Sequence, residues 1–385
     1  MKNIAIGVTL AMSVVGCSKK KPQENKEPPA PVEATPGSAG SAGSAAAAVE
    51  KPMTGKDLAD KFIKCGEMIE GGKMDDFKAN CVEADFTAHQ MDEMDVHGVD
   101  QLTGFFAAMK KGFPDFKEQP QLVMINGRNI MAVELSTGTN SGPLAMPGMP
   151  EMPATNKKVG TLFFHRLAID DANKATEEWA FEDPTTFMGQ LGQLPPPPKG
   201  PATRPAMDKG WDGAPIVVVA ADNDAEKKNL EVVKKLDDAF AAHKVDDMTA
   251  LLADDFVESD QAEAKDVKGK KDAEKSIKDF IKAFPDIKTT SDGVWAAGDY
   301  VVETGVMEGT NSGDLGAMKK TGKKISVHYA EVSKLKDGKL TNMWRFRNGM
   351  AAAIQLGMMQ PPGAGAGSAA GSAAGSGAGS AAPKK

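Results

Sequence analysis

The sequence predicts an α+β fold, present in two tandem copies. Three observations predict it: long segments recur at a fixed offset, each copy opens with helical stripes, and each closes with alternating strands. Lys111-Gly112-Phe113-Pro114-Asp115-Phe116-Lys117 returns as Lys282-Ala283-Phe284-Pro285-Asp286-Ile287-Lys288, and Gly138-Thr139-Asn140-Ser141-Gly142 as Gly309-Thr310-Asn311-Ser312-Gly313, both 171 positions later. Trp179 and Gln190-Leu191-Gly192 return as Trp344 and Gln355-Leu356-Gly357 at an offset of 165. The lost residues fall mainly in the Met/Pro-rich loop Pro143 to Asn156, which is longer in the first copy. Shared order at shared spacing is the mark of duplication, and two long units are too few for a solenoid.

In chain order, the first element is a signal. Lys2 precedes an apolar stretch from Ile4 to Val15, too short for a membrane span, which needs roughly 20 residues. Val14-Val15-Gly16-Cys17 then matches a lipoprotein cleavage site, with the Cys17 thiol as acyl acceptor. Residues 1–16 are read as the signal peptide and 17–53 as a disordered tether rich in Pro, Ala, Gly and Ser. The expected location is the cell envelope, lipid-anchored, and Ser18 after the cysteine points to the outer membrane. A Pro-rich linker at 193–222 separates the copies, at 54–192 and 223–362, and 363–385 reads as a disordered Gly/Ala/Ser tail. Few contacts are expected across such a linker, so each copy should fold alone.

Within each copy, Leu58, Phe62, Cys65 and Ile69 form the stripe of an amphipathic helix, matched by Leu230, Val233, Leu236 and Phe240. A short second helix holds Phe77 and Cys81, or Met248 and Leu252. The third carries Val99, Leu102, Phe106 and Met109, or Ala273, Ile277, Phe280 and Phe284, and stops at Phe-Pro-Asp because proline disfavours helix in the residue before it. Strands follow. Leu122–Ile125 and Ile130–Ser136 flank Asn126-Gly127, a hairpin signal, and Val301–Met307 is the matching long strand. Val159–Ile169 and Lys174–Phe181 form the last pair, which in the second copy turns at Asp337-Gly338. Helices first and then a strand meander implies helices on one face of a curved sheet.

A net charge of −7 argues against nucleic acid as a partner, because phosphate binding needs a basic face. No Gly-rich phosphate loop, Cys-x-x-Cys or Gly-x-Ser-x-Gly is present, so no cofactor is expected. His89, Asp92, Glu93, Asp95 and His97 lie close together but match no metal spacing and read as a polar loop. Cys65 and Cys81 align on Leu236 and Leu252, which makes them core positions. In an oxidising envelope they are expected either to join as a disulfide or to remain two buried thiols.

These residues resemble the SnoaL-like polyketide cyclase and ester cyclase family, within the nuclear transport factor 2-like superfamily. The likeness rests on Phe-Pro-Asp closing the third helix, Gly-Thr-Asn-Ser-Gly ending a long strand, and a Trp in the last strand. It covers about residues 54–192 and 223–360. It implies two cone domains, each a curved antiparallel sheet packed by helices around a mostly apolar pocket. It also implies acid–base chemistry where the family's polar residues are present. A His shortly after the second helix is supplied by His89, but Ser259 stands there in the second copy. The Asp that the family commonly carries directly after the Trp is replaced by Ala180 and by Arg345. Asp183 lies four past the first Trp, and its counterpart is Asn348.

His165 and Glu331, equivalent in the last long strand but one, join His89 as catalytic candidates. Trp179, Trp344, Trp295 and Tyr329 are candidates to line a ligand pocket, or else core. Arg345 and Arg347 share a strand face that is read as solvated, the alternative being that the pair holds an anion. The expected function is binding of a small apolar or cyclic ligand at the envelope. The alternatives are a cyclase, isomerase or hydrolase using the first pocket, or a structural role in which sheets pair domain to domain or copy to copy.

Overall fold

The computed structural model of the chain describes residues 52–93, 95–145, 151–194, 203–213 and 215–360. The signal segment, Cys17, most of the tether and the tail lie outside these residues.

The first domain opens with α1 (Gly55–Glu70) and α2 (Met74–Asn80), then β1 (Val82–Gln90), β2 (Val96–His97) and α3 (Val99–Gly112). β3 (Lys117–Asn126), β4 (Asn129–Thr139), β5 (Lys158–Ile169), β6 (Ala175–Phe181) and α4 (Pro184–Gln190) complete it. After the linker strand β7 (Ile216–Val219), the second domain repeats the series: α5 (Asp224–Ala241), α6 (Val245–Ala250), β8 (Leu252–Asp260), β9 (Val267–Lys268), α7 (Lys270–Ala283), β10 (Lys288–Ala297), β11 (Tyr300–Thr310), β12 (Lys324–Lys336), β13 (Lys339–Arg347) and α8 (Gly349–Gln355). The sheets run β2-β1-β6-β5-β4-β3-β7 and β10-β11-β12-β13-β8-β9. The fold is α+β in two tandem domains.

One correction concerns the order of elements. Helices do not all precede strands: β1 lies between α2 and α3 and pairs parallel with β6. Val82–Gln90 hides this strand from periodicity because only Val82, Phe86 and Ala88 are buried among acidic and polar neighbours. The expected hairpins do form. Asp337 and Gly338 take φ of 51° and 73° between β12 and β13, the paired positive φ that a tight two-residue turn needs.

Period-2 alternation sorts each sheet into two faces. In the first domain Val123, Ile125, Ile130 and Leu167 meet Leu58, Ile69, Phe77 and Leu102 of the helices. The opposite residues, among them Leu122, Met124, Val133 and Phe164, pack against Tyr300, Val302, Val332 and Phe346 of the second domain. The two convex sheet faces therefore share one core.

The linker is also part of this core, contrary to the expectation of a contact-poor spacer. β7 pairs parallel with β3. Met207 donates its N–H to the Gly160 carbonyl at 3.0 Å, and a Cβ at Gly160 would lie 2.0 Å from the Met207 carbonyl oxygen, so only glycine admits the crossing. Trp211 stacks on Trp344 with ring centroids 4.7 Å apart. Apolar side chains in the linker outweigh its proline content: Met207 and Trp211 pack on the shared core beside β7.

Candidate functional site

The concave side of the first domain encloses a cavity of about 180 Å³ under α1, α2 and α3. Its walls are mostly aromatic and aliphatic, including Phe62, Phe106, Phe116 and Phe163. Cys65 and Cys81, joined by a disulfide with Cα atoms 5.9 Å apart, tie α1 to the end of α2 along one wall. Gly66 on α1 faces open space, with nothing within 4 Å of a Cβ built there.

The polar part comes from the sheet. Register places Ala132, His165 and Ala180 side by side on β4, β5 and β6, with Glu134 and Glu178 one step along. His165 Nδ1 lies 2.6 Å from Glu178 Oε1, and its Nε2 lies 3.8 Å from Glu134 Oε1 without a hydrogen-bond partner. Burial pulls the imidazole pKa down, but the hydrogen bond to Glu178 and the negative charges of Glu134 and Glu178 outweigh it and lift it to about 10. His165 is thus a cation at neutral pH. Glu118 at the start of β3 is pushed well up, first by burial and then by Glu134. Glu182, just past β6, is raised by burial and by Glu93 and Glu178. Lys61 of α1 completes the charged lining.

The second cone is filled differently. Arg345 reaches Glu331 from Nε at 2.7 Å and Glu258 from Nη1, and Arg347 Nε reaches Asp260 at 2.8 Å. Tyr329 donates to Glu303 Oε1 at 2.8 Å, and burial lifts Glu303 to about 7 and Asp237 to about 8. The arginine pair is thus ion-paired with the acids of the second cone, not on a solvated outer face as expected. Their partners Glu258 and Asp260 stand on β8 and Glu331 on β12.

Of the candidates for catalysis and ligand binding, the structure brings only His165 to this cavity. His89 is not among the cavity residues: its ring lies 5.5 Å from Trp179 and its Nδ1 3.1 Å from Asp95. Glu331 and Tyr329 stand inside the second cone. Trp179, Trp344 and Trp295 pack at the shared core instead of lining a pocket. Arg166 sits 3.6 Å over the Trp179 ring and 5.0 Å from that of Trp295. Strand parity determines this: Trp179 is one residue from Glu178 and Ala180, both of which face the cavity. The residues that sequence reasoning missed are Glu118, Glu134, Glu178 and Glu182. No local pattern marked them: Glu134 and Glu178 stand on the strands either side of His165 and reach it through register. Among the described residues no group of three His, Cys, Asp or Glu is placed to hold a metal.

The sequence model of the SnoaL-like polyketide cyclase family matches residues 64–191 and again 230–356. No curated protein matches the chain. Among solved structures, a protein from Jannaschia sp. CCS1 assigned as a SnoaL-like polyketide cyclase is similar at 22% identity, over 40% of this chain and 100% of its own, with a TM-score of 0.33. TsrD from Streptomyces laurentii is similar at 17% identity, over 34% and 97%, with a TM-score of 0.32. An NTF2-like protein of unknown function from Burkholderia pseudomallei K96243 is similar at 13%, over 34% and 97%, with a TM-score of 0.30.

Proposed function

For a chain that belongs to the SnoaL-like polyketide cyclase family through both of its repeats, we propose that the first domain binds a small, mostly apolar ring compound and the second supports it. The observation that carries this reading is the aromatic cavity of about 180 Å³ with a small buried polar cluster, His165 between Glu134 and Glu178, at its floor. A dry apolar cavity of about 150 Å³ holds benzene, which sets the ligand at one or two rings. The second cone is occupied by its own arginines, tyrosine and carboxylates, which suits a supporting role.

Binding is preferred over catalysis for two reasons. A general base must be unprotonated near neutral pH, and His165 is held protonated. The place after Trp179 where the family commonly has an Asp carries Ala180.

We also propose that the protein works at the cell envelope, anchored through Cys17. The lipoprotein-type motif at Val14 to Cys17 supports this, and the Cys65–Cys81 disulfide suits an oxidising compartment.

Calorimetric titration of the purified full chain with neutral ring compounds, indole and benzyl alcohol, tests the pocket. Saturable binding is expected, and Gly66→Phe, which fills the open space on α1, should abolish it. Absence of binding by the unaltered chain would remove the reading.

A further inference from the structure

The two cones balance their charges in different ways. Among the cavity residues of the first domain, four carboxylates, Glu118, Glu134, Glu178 and Glu182, face two cationic groups, Lys61 and His165. Glu70 adds another acid beside them, its Oε1 taking the Glu118 backbone N–H at 3.1 Å. His165 and Lys61 match two of the four cavity acids, and burial holds the other two, Glu118 and Glu182, toward their neutral forms, a state that an added cation would reverse.

The second cone meets the same need with its own chain. Arg345 spans Glu331, Glu258 and Asp260. Strand register identifies its counterpart. Ala180 pairs with His165 and Gln90, as Arg345 pairs with Glu331 and Asp260. The position that supplies a guanidinium in one cone supplies a methyl group in the other, and there the cavity opens.

We propose that the cavity of the first domain takes a small organic cation, an amine or quaternary ammonium on a ring-sized apolar body, whose charged head occupies the place that the Arg345 guanidinium holds in the second cone. Aromatic walls suit such a head, since ring faces attract cations. Buried Glu118, raised toward its protonated form in the empty cone, gives up its proton as the cation arrives. This inference rests on the pocket binding ring compounds at all.

The test compares benzylamine, a cation at pH 7, with benzyl alcohol, its neutral counterpart of similar shape, by titration calorimetry on the full chain. Benzylamine should bind at least tenfold more tightly, with proton release visible as a dependence of the heat on buffer. Glu118→Gln should erase most of that preference. Ala180→Arg should exclude both compounds. Equal or tighter binding of benzyl alcohol, or full preference for benzylamine in Glu118→Gln, overturns the cation proposal and leaves the apolar pocket standing. Binding of neither compound removes the pocket and the cation together.

Discussion

Asp92 holds His328 across the domain boundary: its carboxylate meets the His328 backbone N–H at 2.9 Å and the imidazole Nδ1 at 2.8 Å. Asp92 takes a φ of 64° to do so, in the left-handed region that Asp tolerates better than most residues. The hydrogen bond to Asp92 raises the His328 pKa against partial burial.

The sign of the pH effect follows from linkage. A histidine raised on folding stabilises fully below its unfolded value of about 6.5, and that share is lost as pH climbs through the raised value. Thermal unfolding from pH 5.5 to 8.5 should show a decline that Asp92→Ala flattens. The His328 side chain is 40% exposed, so the effect should stay below about 1 kcal/mol. A variant with the same pH profile as the parent would show that the pair contributes nothing.

His165 should behave more strongly. His165→Leu leaves Glu178 and Glu134 buried without their cation, which costs about 3 kcal/mol near neutral pH. The histidine's contribution is complete below about 6.5 and gone above its folded pKa of about 10. Denaturant midpoints of parent and variant should therefore converge between pH 6 and 10. A constant gap would mean that the histidine packs as a neutral ring.

The disulfide closes a loop between residues 16 apart. In the chain-entropy model such a loop contributes about 3 kcal/mol. Reduction, or the double change Cys65→Ser and Cys81→Ser, should lower stability by about that amount. Equal midpoints with and without reductant would refute the estimate.

Shared packing of the convex sheet faces predicts one cooperative transition for the full chain. Fragments 53–192 and 221–360, expressed separately, should expose Leu122, Val133, Phe164 or Val302, Val332, Phe346 and self-associate. Two monomeric fragments that each melt as they do in the full chain would contradict this.

The proposed anchor is tested by labelled fatty acid. Incorporation should occur in the parent and vanish in Cys17→Ser. Label retained by the serine variant excludes Cys17 as the acceptor.

The repeats, the helical stripes and the hairpin turns were legible in the residues, because each is a local pattern. Phe-Pro-Asp ends α3 and α7 by backbone sterics that act within two residues. β1 was not legible, since a strand with three buried side chains among acids carries little periodic signal. His165 could be placed on a cone-facing strand position by alternation, yet its partners Glu134 and Glu178 come from strands on either side and meet it only through register.

Sequence alone determined that this chain holds two copies of one α+β unit and which side of each element is apolar. Only the tertiary structure decided what those sides meet. Trp179 and Trp344 would satisfy burial equally well in a pocket or against another domain, because the hydrophobic effect is not directional. The pairing of two convex sheets settled that choice. It left the concave side of the first domain, where the repeat has alanine in place of Arg345, as the cavity.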